Sequence, residues 1–121
     1  MPSTKAFRDR MLGRLLPVGP VEARSMFGGF GLYLDGVMFA LIAFDRLYFK
    51  IDDANRQDFI EAGTQAFSYQ GKTRRIEMSY YELPGAVLDD PAELIDWAGR
   101  ACDAARRAKA KRRPRRKREK S

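Results

Sequence analysis

Residues 26–51, MFGGFGLYLDGVMFALIAFDRLYFKI, constrain the fold more than any other stretch of this chain. Three apolar runs are separated by two short polar breaks. Asp35-Gly36 divides Leu32-Tyr33-Leu34 from Val37-Met38-Phe39, and a two-residue Asp-Gly loop between apolar runs signals a hairpin because both positions tolerate positive φ. Phe44-Asp45-Arg46 is a second, weaker break. The spacing predicts a β-meander. Its middle run, residues 37–44, is apolar without alternation, so a strand there needs cover on both faces. The chain's own helices would supply one cover. A second subunit, or a loop and long side chains, would supply the other.

At 121 residues and 45% apolar content, the chain builds one domain around one core. It has no run of about 18 apolar residues to cross a membrane. The start, MPSTKAFRDRML, lacks the apolar stretch of a signal peptide, so a cytoplasmic location is expected. The lone Cys102 can form no internal disulfide, which fits a reducing compartment.

The flanking elements follow from periodicity and caps. Phe7, Met11, Leu12, Leu15 and Leu16 fall on one helical stripe, with Ser3 or Thr4 able to cap it and Pro17, Gly19 and Pro20 to stop it. Glu22 to Ser25 is a short strand or a loop. Residues 52–63 read as a short helix, capped by Asp52 or Asp53, ended by Gly63 and facing the sheet with Phe59 and Ile60. A second hairpin follows, from Gln65 to Tyr69 and from Arg74 to Glu82. Alternation there puts Ile76, Met78 and Tyr80 on one face and Arg75, Glu77, Ser79 and Tyr81 on the other. The last helix is the best marked. Asp90-Pro91-Ala92-Glu93 supplies an N-cap, an N1 proline and an N3 glutamate able to close a capping box, and Leu94, Ile95, Trp97, Ala98, Ala101, Cys102 and Ala105 form its apolar stripe.

The charge is segregated. The net charge is +7, but residues 106–121 carry eleven Lys/Arg and one Glu, a net +10, leaving −3 for residues 1–105. A folded body over 1–107 and a disordered basic tail over 108–121 are expected, since the tail holds Pro114 and nothing apolar beyond Ala110. Its candidate nucleic-acid contacts are Lys109, Lys111, Arg112, Arg113, Arg115, Arg116, Lys117, Arg118 and Lys120. Such contact would be electrostatic, blind to sequence and salt-sensitive.

Chemistry is harder to find. The chain has no His. Gly28, Gly29 and Gly31 match neither a GxGxxG nor a Walker spacing and open a strand rather than a helix, so a tight turn or close backbone packing accounts for them. Asp52 and Asp53 have no third carboxylate or His nearby in sequence to make a metal site. Lys72, Arg74 and Arg75 read as a solvated hairpin end. Cys102 reads as a buried small hydrophobe without a base to activate it. No catalytic residue, cofactor or metal is therefore expected. The competing reading is an enzyme or small-molecule binder using Tyr48, Tyr69, Tyr80 and Tyr81 with Arg74 or Arg75.

The order is α-β-β-β-α-β-β-α. The block from Met26 to Leu41 (MFGGFGLYLDGVMFAL), with Leu47-Tyr48-Phe49-Lys50-Ile51-Asp52, Phe67-Ser68-Tyr69, Met78-Ser79-Tyr80-Tyr81 and Trp97-Ala98, closely resembles the N-terminal domain of the TfoX/Sxy family, bacterial regulators of competence for DNA uptake. The resemblance covers residues 5–107. It implies a two-layer α+β fold of the secretion-chaperone-like type, an antiparallel five-stranded sheet backed by helices and often dimeric. It brings no catalytic residues. Longer members carry a second, helical C-terminal domain, and the expectation here is the first domain alone. The function expected is a non-enzymatic regulatory or interaction module. Its expected partners are a second copy, a protein of transcription regulation, and nucleic acid through the tail.

Overall fold

The elements run α1 (Lys5–Arg14), a 3₁₀ turn (Leu16–Val18), β1 (Glu22–Met26), β2 (Gly29–Leu34), β3 (Val37–Ala43), β4 (Arg46–Lys50), α2 (Arg56–Glu61), β5 (Ala66–Gln70), β6 (Arg75–Glu82), α3 (Gly85–Leu88) and α4 (Pro91–Arg112). The computed structural model describes residues 3–26 and 28–112. The strands form one open sheet in the order β1-β2-β3-β4-β6-β5, and every neighbouring pair is antiparallel.

Five strands follow from the sequence; the sheet has six. The addition is β1, which pairs along its whole length with β2, from Glu22 opposite Tyr33 to Met26 opposite Gly29. Glu-Ala-Arg-Ser-Met is an edge strand with no buried residue, so it carries little of the alternation that marks a half-buried strand. The short helix α3 is also an addition.

The meander forms as expected, and both of its loops are two residues long. Asp35 and Gly36 take φ of 54° and 77°, and Phe44 and Asp45 take φ of 53° and 55°. Left-handed backbone at both central positions matches the twist of the flanking strands. The missing alternation in β3 has a local cause. Leu32 pairs with Ala40 but Tyr33 pairs with Met38, leaving Phe39 as an extra residue. This bulge lets Phe39 and Ala40 both enter the main core, while Leu41 turns to the opposite face.

Helix α1 is capped by Thr4, whose hydroxyl accepts from the Phe7 N–H at 3.1 Å. The Asp45 carboxylate accepts from the Thr4 N–H at 2.7 Å, tying the β3–β4 loop to the helix start. Met11 and Leu15 are fully buried, but Leu16 is 68% exposed. The 3₁₀ turn rotates Leu16 off the stripe that helical spacing assigned it. Helix α2 begins at Arg56 rather than at residue 52. Asn55, 3% exposed, closes the preceding loop by accepting from the Asp52 N–H at 2.8 Å and donating to the Lys50 carbonyl at 3.1 Å. Its end is a Schellman motif: the Gly63 N–H donates to the Ile60 carbonyl and the Thr64 N–H to the Phe59 carbonyl. Phe59 is buried as expected, whereas Ile60 is 47% exposed.

Helix α4 lies across the sheet. Asp90 accepts from the Ala92 and Glu93 N–H groups at 3.0 and 3.2 Å. Glu93 accepts from the Trp97 indole N–H at 3.0 Å. Ala98, Ala101, Ala104 and Ala105 are buried; their small side chains let the helix axis approach β3 and β4 closely. The core between helices and sheet is built from Met11, Leu15, Phe39, Phe49, Phe59 and Leu94. Phe59 meets Trp97 edge-on, with centroids 4.8 Å apart, and Tyr81 at 6.0 Å, linking α2, α4 and β6.

Candidate functional site

The helices cover one face of the sheet. A second, smaller apolar cluster occupies the other, with Leu41, Tyr48 and Tyr80 buried at its centre and Met38, Ala43, Phe67 and Met78 around them. This face is shaped by the β5–β6 hairpin. Ala66 lies opposite Tyr81 but Ser68 lies opposite Glu77, so β6 carries extra residues between these pairs. Such bulges bend a strand, and here the bend folds the hairpin over β3 and β4. Phe67 meets Tyr48 edge-on at 5.2 Å and Tyr69 at 6.4 Å. The Tyr80 hydroxyl donates to the Met38 carbonyl at 3.3 Å. Burial pushes the Tyr48 phenol above its ordinary pKa, with the Glu82 carboxylate adding to the effect.

Between the folded hairpin and the ends of β2 and β3 lies an open groove of about 520 Å³. Its apolar lining includes Met26, Phe30, Leu41, Phe44, Phe67 and Met78, and its polar side chains are Ser68, Tyr69, Gln70 and Arg75. The Arg75 guanidinium donates to the Ser68 hydroxyl at 2.9 Å. Among the described residues, no carboxylate lines the groove, and none of the hydroxyls in that lining has a carboxylate base beside it. The residue that sequence reasoning missed is Phe44. It is 60% exposed at φ 53°, a conformation that disfavours a bulky side chain; its position in a loop between two apolar runs is the only sequence signal for it.

The tyrosines proposed to work together divide between faces. Tyr48, Tyr69 and Tyr80 share the groove side, whereas Tyr81 packs on Phe59 under the helices. Arg74 is exposed in the hairpin turn. Asp52 and Asp53 hold arginines: Asp52 accepts from Arg107 at 2.6 and 3.1 Å and Asp53 from Arg56 at 2.6 Å. The Arg107 bond, with help from the Ala54 N–H, holds the Asp52 carboxyl below its ordinary pKa. Among the described residues, no group of three or more His, Cys, Asp or Glu could hold a metal ion. Cys102 is buried, and that burial raises its thiol pKa to about 11.

Helix α4 continues to Arg112, so Lys109, Lys111 and Arg112 belong to its last turns rather than to a tail beginning at residue 108. Lys109 and Lys111 are exposed. Arg113, Arg115, Arg116, Lys117, Arg118 and Lys120 lie outside the described residues. Upstream, the arginines of α4 are matched by carboxylates: Arg100 by Asp58 and Asp96, Arg106 by Asp103, and Arg107 by Asp52. Among the described residues, no helix is long and apolar enough to cross a membrane.

A family model described as the TfoX N-terminal domain matches residues 14–105. The chain is 29% identical over 98 residues to the DNA transformation protein TfoX1 of Aliivibrio fischeri, covering 81% of this chain and 47% of that protein. It is 24% identical over 98 residues to Protein Sxy of Escherichia coli, with the same coverage. The chain thus spans about half the length of the curated relatives it matches.

Proposed function

Because the chain belongs to the TfoX N-terminal domain family, we propose that it is a non-enzymatic regulatory module of the cytoplasm that acts by binding other macromolecules. In this reading it is a homodimer that meets protein through the second face of its sheet. The basic segment beginning in the last turns of α4 meets nucleic acid. The name of the Aliivibrio fischeri relative places that protein in DNA transformation, and control of DNA uptake is the process proposed for this module. The observation that carries the reading is the groove: an apolar surface with Phe44 and Tyr69 exposed and, among the described residues, no acid–base pair in its lining. Large exposed apolar side chains gathered at one place mark docking sites more often than reaction sites.

The segregated charge supports the nucleic-acid part. Among the described residues, seven arginines from Arg8 to Arg107 pair with carboxylates, whereas nine Lys/Arg crowd residues 109–120 against a single Glu, a charge density that attracts phosphate. The test is retention on duplex DNA at low and moderate salt, together with sedimentation over a wide concentration range. The full chain is compared with a variant carrying glutamine at those nine positions. Dimers at micromolar concentration, and DNA retention lost in the variant and falling steeply with salt, are expected. A monomer at every concentration removes the dimer, and equal retention by the two proteins removes the nucleic-acid role. The alternative, a small-molecule site on the sheet tyrosines, is favoured only by the groove's volume, which suits a small ligand. Tyr81 on the other face and Arg75 already donating to Ser68 count against it.

A further inference from the structure

An open sheet has two edges, and proteins guard such edges with charge, proline or cover because unpaired backbone groups recruit other strands. The β1 edge is guarded. Glu22 and Arg24 alternate along it, 3.5 Å apart, and the Arg24 guanidinium lies 4.3 Å from the Tyr33 ring centroid. The β5 edge is not. Ala66-Phe67-Ser68-Tyr69-Gln70 contains neither a charge nor a proline.

Backbone direction on β5 can be read from its ends. The Gln65 carbonyl accepts from the Glu82 N–H, and the Gly71 N–H donates to the Arg74 carbonyl. Odd-numbered positions therefore face β6. By alternation, Ala66, Ser68 and Gln70 present their N–H and C=O groups to the open side. The apolar surface agrees. Among the described residues, four large hydrophobic side chains are exposed, Leu16, Phe44, Ile60 and Tyr69, and three of them flank this edge. Phe44 and Tyr69 line the groove on one face; Ile60 lies with Gln65 and Ala66 in a shallow depression. A strand added to β5 would cover both sides at once.

We propose that the strand is the β5 of a second copy, paired antiparallel about a two-fold axis at Ser68 and joining two sheets into one. This rests on the dimer reading above and adds its interface. The five-residue edge is self-complementary in that register. Ser68 faces the partner's Ser68 and Ala66 faces the partner's Gln70, both as hydrogen-bonded pairs. Phe67 faces the partner's Tyr69 as a non-hydrogen-bonded pair, where side chains come closest. The aromatic row from Tyr48 through Phe67 then continues into the partner. Each copy brings Arg75, on the Ser68 hydroxyl, and Glu77, opposite Ser68, so the charges gathered at the axis cancel.

The test uses the full chain. Cα atoms of a hydrogen-bonded antiparallel pair lie about 5.5 Å apart, within disulfide range, so oxidised Ser68→Cys links into a covalent dimer. Cys102 is buried and does not compete. Thr73→Cys, in the hairpin turn, stays unlinked under the same conditions. Tyr69→Lys, at an exposed position, keeps the native circular dichroism and weakens dimerisation about tenfold or more. A dimeric chain in which Ser68→Cys does not link, or whose Tyr69→Lys variant dimerises as the parent does, overturns the β5 edge while leaving dimerisation standing. A chain that is monomeric throughout overturns both.

Discussion

Gly29 and Gly31 lie two residues apart on β2, and the structure separates the effects of placing an alanine at each. A Cβ on Gly29 would sit 2.0 Å from the Ile42 carbonyl oxygen. That neighbour is backbone and cannot rotate away. Restoring van der Waals contact requires β2 and β3 to part by about 1.4 Å, from 2.0 to 3.4 Å, which disturbs the Phe30–Ile42 pair next to it. Overpacking of this kind costs about 1–3 kcal/mol. A Cβ on Gly31 would instead meet the sulfur atoms of Met26 and Met38 at 2.8 and 3.1 Å and the edge of the Tyr33 ring at 3.1 Å. Thioether chains move aside with little penalty, and alanine in a strand recovers roughly 0.5–1 kcal/mol of glycine's entropic disadvantage. The two effects nearly cancel. At roughly 4–8 °C per kcal/mol for a body of this size, Gly29→Ala should lower Tm by about 4 °C or more, and Gly31→Ala should leave it within about 3 °C. Thermal unfolding followed by circular dichroism measures both. The reasoning is refuted if Gly29→Ala melts with the parent, or if Gly31→Ala is the more damaging of the pair.

Phe59→Ala should cost about 3–5 kcal/mol in urea unfolding, because the side chain is 1% exposed and holds Trp97 and Tyr81 together. Cys102, with its thiol pKa raised to about 11, should resist an aromatic disulfide reagent at pH 8 in the native state and react at once in denaturant. Asp52 has its pKa lowered chiefly by the Arg107 hydrogen bond, so its stabilising contribution is complete above the ordinary carboxylate value of about 3.9 and is lost as pH falls through the lowered value. Asp52→Asn should therefore be less stable than the parent at neutral pH, with the difference shrinking in acid; a constant difference across the acid limb would show that the pairing is not the cause. Phe44→Gly exchanges left-handed strain of about 1–2 kcal/mol for lost contacts and added chain freedom, so its stability should stay within about 1 kcal/mol of the parent while self-association weakens.

Much of the fold is legible because its signals are local. The Asp35-Gly36 pair specifies a turn whose geometry only such residues enter easily, and Asp90-Pro91 specifies a helix start. What escapes the sequence is set by neighbours. β1 takes its partner from β2 and has no fully buried residue, so its composition resembles a loop. Asp52 and Asp53 look like caps for α2, but Arg107 and Arg56 claim their carboxylates, and Asn55 closes the loop instead. Leu16 and Ile60 have the spacing of core residues. A 3₁₀ turn carries the first outward, and the Schellman ending of α2 places the second on the rim.

The site was half visible for the same reason. Alternation puts Ile76, Met78 and Tyr80 on one face, and the doubly apolar β3 announces that something must cover it; neither reveals that the bulge in β6 folds the chain's own hairpin into that role. Once the hairpin is in place, Phe67 and Met78 join Met38 and Ala43 around Leu41, Tyr48 and Tyr80. Tyr69, which meets the Phe67 ring, and Phe44 lie outside that cluster. Tyr69 is 41% exposed and Phe44 60% exposed, and Phe44 occupies a backbone conformation that a glycine or asparagine would enter more easily. Phe44, exposed and conformationally costly, adds little to the isolated fold, whereas a partner laid against β5 would cover it and extend the surface that Tyr69 already shares with Phe67. Local strain that folding does not need is a reason to look for binding, and here it sits beside the one strand edge that the sequence leaves without charge.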